Sequence, residues 1–320
     1  MRLDFPSAGP QSKAQPAQRP NRPVGRVKTG KYPLLAAFLL PALGLYGYFV
    51  ISPYAQAFVI SMTDWHGLSA EFNWVGLDNF KRLLSDEYML NALWHNALLL
   101  ILLPVITIAL GLFFSSMLNV HRARGAGLYK IIYFAPQVLS VAVIGVLWKE
   151  IYNPRSGLLN GTLRVLGLDG LAQTWLGDPD VALWAILAVM VWSNVGFYVV
   201  LFGAAMQSIP KELYEAAELD GSSRWATLWR ITLPLLWDTV QVAWVYLAIL
   251  ALDAFALVQI MTRGGPNFST DVVGQRMYDV AFSENKFGEA SAIGVILFFL
   301  TLTITVAALR ITRRERIEFS

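Results

Sequence analysis

Glu215-Ala216-Ala217-Glu218-Leu219-Asp220-Gly221, followed nine residues on by Ile231-Thr232-Leu233-Pro234, is a charged segment set between two long apolar runs. Lys211 to Leu219 are helix formers throughout. Asp220-Gly221 closes that helix, because glycine accepts the left-handed turn after a last helical residue. Upstream, Ser208-Ile209-Pro210 predicts the start, with the serine capping free amides and the proline in the first turn. Ser222 or Ser223 then caps a second short helix through Ile231, and Pro234 opens the next apolar run. On the first helix Leu213, Ala216, Ala217 and Asp220 share nearly one face. The paired alanines leave little bulk, so a partner surface can approach closely, and Glu215 and Glu218 flank it to meet cations. The same residues suit a helix lying at a membrane interface, with Leu213 and Tyr214 among headgroups. Local chemistry leaves both readings open.

The flanking runs set the class. Of the 320 residues 56% are hydrophobic and only 15% charged, against roughly 25% charged in a soluble chain. Six blocks reach the roughly 20 apolar residues that cross a bilayer: about 33–60, 91–118, 128–151, 181–206, 235–262 and 289–311. The expected fold is therefore all-α and polytopic, a six-span domain over 32–312 with an inner loop at 207–234. Residues 1–31, polar and rich in Pro and Gln, and residues 313–320 read as cytoplasmic tails, the first of them disordered. Strands of a β-barrel would be about 10 residues long and alternate in polarity, which these blocks do not. Pro41, Pro53, Pro104 and Pro136 fall inside spans, where neighbouring helices satisfy the freed carbonyls.

Charge gives the orientation. With a cytoplasmic N-terminus, the inner segments hold 17 of the Lys and Arg residues and the outer ones 8, the bias of the positive-inside rule. The Glu215 loop and both termini then face the cytoplasm. Trp65, Trp74, Trp94, Trp148, Trp225, Trp229 and Trp237 gather near span ends as interfacial anchors. The absence of cysteine excludes disulfides and thiolate chemistry. His66, His95 and His121 stand far apart, so no metal site is expected. The mild net charge of +3 sits at membrane edges and excludes nucleic acid as a partner.

The spacing Glu-Ala-Ala, three residues, Gly, nine residues, Ile-x-Leu-Pro resembles the inner-loop motif of permease subunits in binding-protein-dependent ABC importers. Glu215, Ala216, Ala217, Gly221, Ile231, Leu233 and Pro234 carry the match. The resemblance extends from residue 32 onward. Phe38-Leu39-Leu40-Pro41, Asn153-Pro154 with Gly157-Leu158-Leu159-Asn160, Thr262-Arg263-Gly264-Gly265-Pro266 and Phe287-Gly288 look like the carbohydrate-uptake branch, and like the first of its two paired permeases. It implies a type I importer fold in a prokaryotic inner or plasma membrane, with the loop as a coupling helix seated in an ATPase cleft. It implies as partners a second homologous permease, a pair of ATPase subunits, an extracytoplasmic solute-binding protein and membrane lipid. ATP and Mg belong to the ATPase, since this chain has no Gly-x-x-x-x-Gly-Lys-Ser/Thr run and needs no cofactor of its own. It also has no binding-domain-sized outer segment, so a separate binding protein is expected to deliver the solute.

A path for solute needs polar or aromatic groups inside the spans. The maltose permease subunit's sugar-contacting positions correspond here to Leu247, Ala251 and Ala254, which are apolar, so a maltose-like contact set is not expected. Trp244, Leu247, Ala251, Ala254 and Val258 do share one helical face, and a tryptophan above small residues suits stacking on a pyranose; it equally fills a gap between helices. On span four, Trp192, Asn194, Phe197 and Tyr198 are candidates, with Asn194 otherwise an interhelical hydrogen bonder. Asp253, the acid deep in a span, must face a cavity or a partner. It lies across the helix from Trp244, which favours pairing with another helix over ligand contact. Gln137 and Gln241 are weaker candidates. An integral membrane enzyme would need an acid, base or metal cluster at a span end, and a proton-coupled carrier several buried ionisable groups. Neither pattern is present. A sugar or sugar-like solute is the expected cargo, with glycerol phosphate as the alternative.

Overall fold

The computed structural model describes residues 31–67, 71–120 and 126–311, and the chain divides into two compact units, residues 1–53 and 54–320. Apart from Lys31 the expected tails lie outside the described residues, as do His121 and the loop cations Arg122 and Arg124. Below, inner and outer carry the sense that the charge bias assigns.

The first unit is built on α1 (Lys31–Tyr46) and a π turn (Gly47–Ile51); α2 (Ser52–Ile60) begins at its end and lies mostly in the second unit. The wider turn stands just ahead of Pro53, whose ring carries no amide for the ladder. The Ser52 amide reaches back five residues to the Gly47 carbonyl instead.

The second unit continues with α3 (Asp78–Ser85), α4 (Glu87–Val120), α5 (Ala126–Val138), α6 (Val141–Ile151), α7 (Leu158–Val165) and α8 (Ala182–Gln207). After these come α9 (Lys211–Leu219), α10 (Arg224–Thr227), a π turn (Leu228–Thr232), α11 (Leu233–Leu235), α12 (Trp237–Leu252), α13 (Phe255–Met261), α14 (Val273–Phe282) and α15 (Phe287–Ile311). In hydrocarbon a backbone must satisfy its own polar groups, and helices do so within one segment. Among the described residues four helices are long and apolar enough to cross alone, and the number rises to 6 where each of two bent pairs counts as one span.

The bends depart from the simple blocks of the sequence. The third block is two helices, α5 and α6, meeting at 109°. Pro136 removes a ladder amide near the end of α5, and Ser140, extended at φ −67° and ψ 150°, restarts the helix by accepting from the Val143 amide at 3.4 Å. The fifth block is interrupted too. The inner helical run Trp225–Leu235 turns by 79° into α12, and Asp253-Ala254 separates α12 from α13. Pro234 therefore belongs to the inner run and does not begin the span, which starts at Trp237.

The helix α8 is apolar on every side and is buried accordingly: 61% of its most apolar window is inside the protein. It packs against α4 and α5, while α12 covers another side of α4. Gly196 makes the α5 contact possible, because a Cβ there would fall 1.7 Å from the Tyr133 carbonyl oxygen. A smaller core of Leu83, Met89, Val280 and Ile293 joins α3, α4, α14 and α15 on the outer side. Polar ties stitch α4 to the segments beyond span five. Asn96 donates to the Ala251 carbonyl at 3.0 Å and accepts from the Val273 amide at 2.8 Å. Asn91 donates to the Phe268 carbonyl at 2.9 Å.

Gly196→Ala should part α5 from α8 at a cost of about 1–3 kcal/mol, the usual range for overpacking. Its signature is a lower melting temperature and less protein in the membrane. Gly44→Ala, whose added methyl meets nothing within 4 Å, is the control and should leave both unchanged.

Candidate functional site

The inner loop is a helix, a tight turn and a second helical run. Ser208 does not cap α9, contrary to the sequence expectation. It closes α8, its hydroxyl donating to the Ala205 carbonyl at 2.7 Å. Its backbone is still helical (φ −81°, ψ −11°), so the side chain turns back to α8 rather than forward. The α9 helix begins after Pro210 with no side-chain cap among the described residues. Its other end is as expected. Gly221 takes φ +70°, the Gly221 amide donates to the Glu218 carbonyl at 3.0 Å, and the Ser222 amide to the Ala217 carbonyl at 2.9 Å. These two bonds form a Schellman closure that satisfies carbonyls of the last turn. Ser223 then caps the second run, accepting from the Ala226 amide at 3.2 Å.

The two halves are fastened together. Ala217, Ile209, Leu228 and Thr232 are buried, and the Tyr214 hydroxyl meets Thr232 Oγ1 at 3.3 Å. Of the shared face read from the sequence, only Ala217 turns inward. Leu213, Ala216 and Asp220 are exposed, as are Glu215, Glu218 and Gly221, and Leu219 is 89% exposed. Ile231 and Leu233 are half-buried in the second run and Pro234 is exposed. Trp225 and Trp229, edge to face at 5.8 Å, lie open on that run. The result is a braced platform, directly continuous with α8, that presents the carboxylates of Glu212, Glu215, Glu218 and Asp220 and a small-residue surface.

The candidates inside the spans separate into two groups. Leu247, Ala251, Ala254 and Val258 are each 3% exposed or less, and Trp244 is half-buried. Their shared face is packed into the core in this conformation. Tyr198 is also buried, and Asn194 donates within its own helix, to the Met190 carbonyl at 2.8 Å, instead of across to a neighbour. Phe197 is half-buried, edge to face with Tyr198 at 5.2 Å. Asp253, by contrast, is exposed at the break between α12 and α13. It continues a stripe of Val242, Tyr246 and Ile249, which are 67%, 52% and 40% exposed. The open face of α12 is thus the one opposite Trp244.

Two other features escaped the sequence reading. A hollow of about 650 Å³ opens where span three bends, lined by Phe114, Tyr133, Pro136, Trp184 and Trp192; it reaches neither Trp244 nor Asp253. Its apolar walls were visible as composition, but the bend that opens it was not. On the outer side, Arg276 pairs with Asp86 at 3.2 Å and with Glu284 at 2.8 Å, and Lys286 joins Glu284 at 2.7 Å. His66 and His95 each use Nδ1 on a backbone carbonyl, of Asn285 at 3.2 Å and of Asp271 at 2.7 Å.

Four membrane-length helices and two bent pairs, with a braced helix-turn-helix on the inner loop, match the type I ABC importer permease fold. Residues 108–316 match the binding-protein-dependent transport system inner membrane component, and the chain belongs to that family. It is 42% identical over 310 residues to the diacetylchitobiose uptake system permease protein NgcF of Streptomyces coelicolor, covering 93% of this chain and 88% of that one. It is 31% identical over 280 residues to the multiple sugar-binding transport system permease protein MsmF of Streptococcus mutans, covering 87% and 94%. The fold matches, at a TM-score of 0.74 and 24% identity, a chain of a bacterial alginate ABC transporter solved in complex with alginate pentasaccharide-bound periplasmic protein; 89% of this chain and 96% of that chain are covered.

Tyr214→Phe removes the hydroxyl that joins the two halves of the loop and should cost about 1 kcal/mol. Thermal unfolding of the membrane-extracted protein reads that loss, and cleavage within residues 207–234 under limited proteolysis should quicken. Unchanged cleavage would show that the brace lies elsewhere.

Proposed function

We propose that this chain is a membrane-spanning subunit of an ATP-driven sugar importer, and that α9 receives the stroke of a separate ATPase. The observation that carries this reading is the platform: α9 is exposed, braced by Tyr214 and Thr232, and joined to the buried α8 by only three residues. A load on Glu215, Ala216 or Gly221 is therefore delivered to the helix at the centre of the bundle. ATP and Mg would be held by the ATPase pair, whose cations would meet Glu215 and Glu218. This arrangement requires both termini and the loop on the cytoplasmic side, as the charge bias expects.

The open stripe of α12 would face a second permease across the solute path. A carboxylate in a span is costly unless it meets water or a polar partner, which fits Asp253 lining a wet cavity better than meeting lipid. Tyr246 adds a ring with a hydroxyl, suited to a sugar's apolar C–H face and its polar rim. Closure of the ATPase would move α9 and α8 together and turn this cavity outward, where a solute-binding protein delivers its cargo. Trp244, Leu247, Ala251 and Ala254, with Asn194, Phe197 and Tyr198 on α8, would then act by repacking as the helices shift. The names of the relatives, which include chitobiose and multiple-sugar systems, support a carbohydrate cargo.

Glu215→Ala, co-expressed with the ATPase, sister permease and binding protein, should lower solute uptake by about 5–150-fold, the range of a coupling of 1–3 kcal/mol. ATP hydrolysis should persist but lose its stimulation by the loaded binding protein. Wild-type uptake by that variant would refute the coupling role. Asp253→Asn should raise the KM for uptake more than it lowers the maximal rate, while Trp244→Phe should change neither. The reverse pattern would return the path to the Trp244 face.

A further inference from the structure

Asp271 lies in the outer segment between α13 and α14, outside the spans, and is 1% exposed. Neither carboxylate oxygen has a hydrogen-bond partner among the described residues. One turn on, Gln275 is equally buried and its Oε1 is likewise unpartnered. Both side chains border Gly264: a Cβ at that position would fall 3.3 Å from Asp271 Oδ1 and 3.3 Å from Gln275 Cγ. The Gln275 amide nitrogen donates to both oxygens of Asp279 at 3.2 Å, which fixes the amide's orientation. Turning the amide over would give its protons to Asp271 only by setting its oxygen against Asp279. In either orientation one carboxylate goes without those protons. Arg276 does not fill the gap: its terminal nitrogens donate to Glu284 and Asp86, and its buried Nε, though unpartnered, bonds to neither Asp271 oxygen. A buried, ionised and undonated carboxylate is among the costliest groups a fold can hold.

We infer that Asp271 is a proton-binding site: the folded chain carries it as a neutral acid whose O–H donates to Gln275 Oε1. One proton then satisfies two acceptors that are otherwise orphaned. The surrounding charges come from every element packed there: Asp279 and Arg276 on α14, Asp86 at the head of α4, His95 within α4, and Glu284 beyond Arg276. Burial first, and Asp279 next, push the Asp271 carboxyl up from 3.8 to about 7, with Arg276 and the backbone amide of Val272, too poorly placed for a full hydrogen bond, opposing. A folded pKa above the unfolded one means the native chain holds the extra proton between those two values. Its stabilising effect is complete below 3.8 and is lost as pH rises through about 7. The group sits in a clasp, since the Asp271 carbonyl meets His95 at 2.7 Å and the neighbouring Phe268 carbonyl takes Asn91. Losing the proton loosens the tie between α4 and the outer segment. The site makes that clasp sensitive to the pH it faces, whatever solute is carried.

The test is infrared difference spectroscopy on the full-length chain in lipid nanodiscs, titrated from about pH 5 to about pH 9 across the ordinary carboxylate and histidine ranges. The wild type should lose a protonated-carboxyl band with a midpoint near neutrality, and Asp271→Asn should lack that transition. The melting temperature should fall with rising pH through the same window in the wild type and stay level in Asp271→Asn. Asp271→Glu keeps an acid and should shift the band without abolishing it, which preserves the test should the Asn variant fail to fold. A wild-type band already absent at the acid end would overturn the inference. So would a midpoint that moves when sodium replaces choline, because a metal cation would then be the occupant of these oxygens.

Discussion

The rest of the structure depends on the close packing of α8. The helix is open along Trp184 and Ala188, where it borders the hollow, but most of it is covered by α4 and α5, with α12 and α13 touching it as well, so it moves with the helices around it. Gly196 lets one crossing close down to backbone contact, so there is little slack to absorb a displacement locally. The three residues between α8 and α9 are equally short of freedom: Ser208 is bonded back to Ala205 and Ile209 is buried. Close packing of this kind converts a push on the inner loop into a rigid-body shift, where a floppy linker would dissipate it. This is a physical reason to read α9 as a joint, independent of any spacing of Glu, Ala and Gly.

The breaks in the helices are the counterpart of that rigidity. Each interruption exposes backbone groups that hydrocarbon would not solvate, so it must be answered from within the protein. Ser140 answers the bend of span three with its own hydroxyl, and Asn96 answers the break after α12 by taking up the Ala251 carbonyl. The same asparagine accepts the first amide of α14. One polar side chain on α4 thus fixes both the irregular end of span five and the start of the outer segment.

Much of this was legible in the sequence. The six apolar blocks, the Gly221 turn and the Ser223 cap follow from composition and from local backbone preference, which act over a few residues. What was not legible depended on three-dimensional partners. Ser208 could cap either neighbour, and only the helical conformation it retains decides between them. The Trp244 stripe and the Val242-Tyr246-Ile249-Asp253 stripe are both regular on one helix. Periodicity finds faces but does not say which is covered, and here the small residues Ala251 and Ala254 mark close packing. Asn194 could have bonded across helices, and it bonds to Met190 of its own turn instead.

The two acids that the fold treats most differently show how placement assigns roles. Asp253 lies inside a span by sequence yet is open, while Asp271 lies outside the spans yet is sealed. Asp253 is open at the break between α12 and α13, which is what the proposed solute path would require of it. A sealed carboxylate with no donor cannot stay charged cheaply, so Asp271 acts on the fold itself. In the proposed import cycle Asp253 would meet the cargo, and Asp271 would respond to the medium on the outer side. Between them lie α13, 7 residues long, and the irregular segment from Thr262 to Thr270, so the two acids answer to different surroundings.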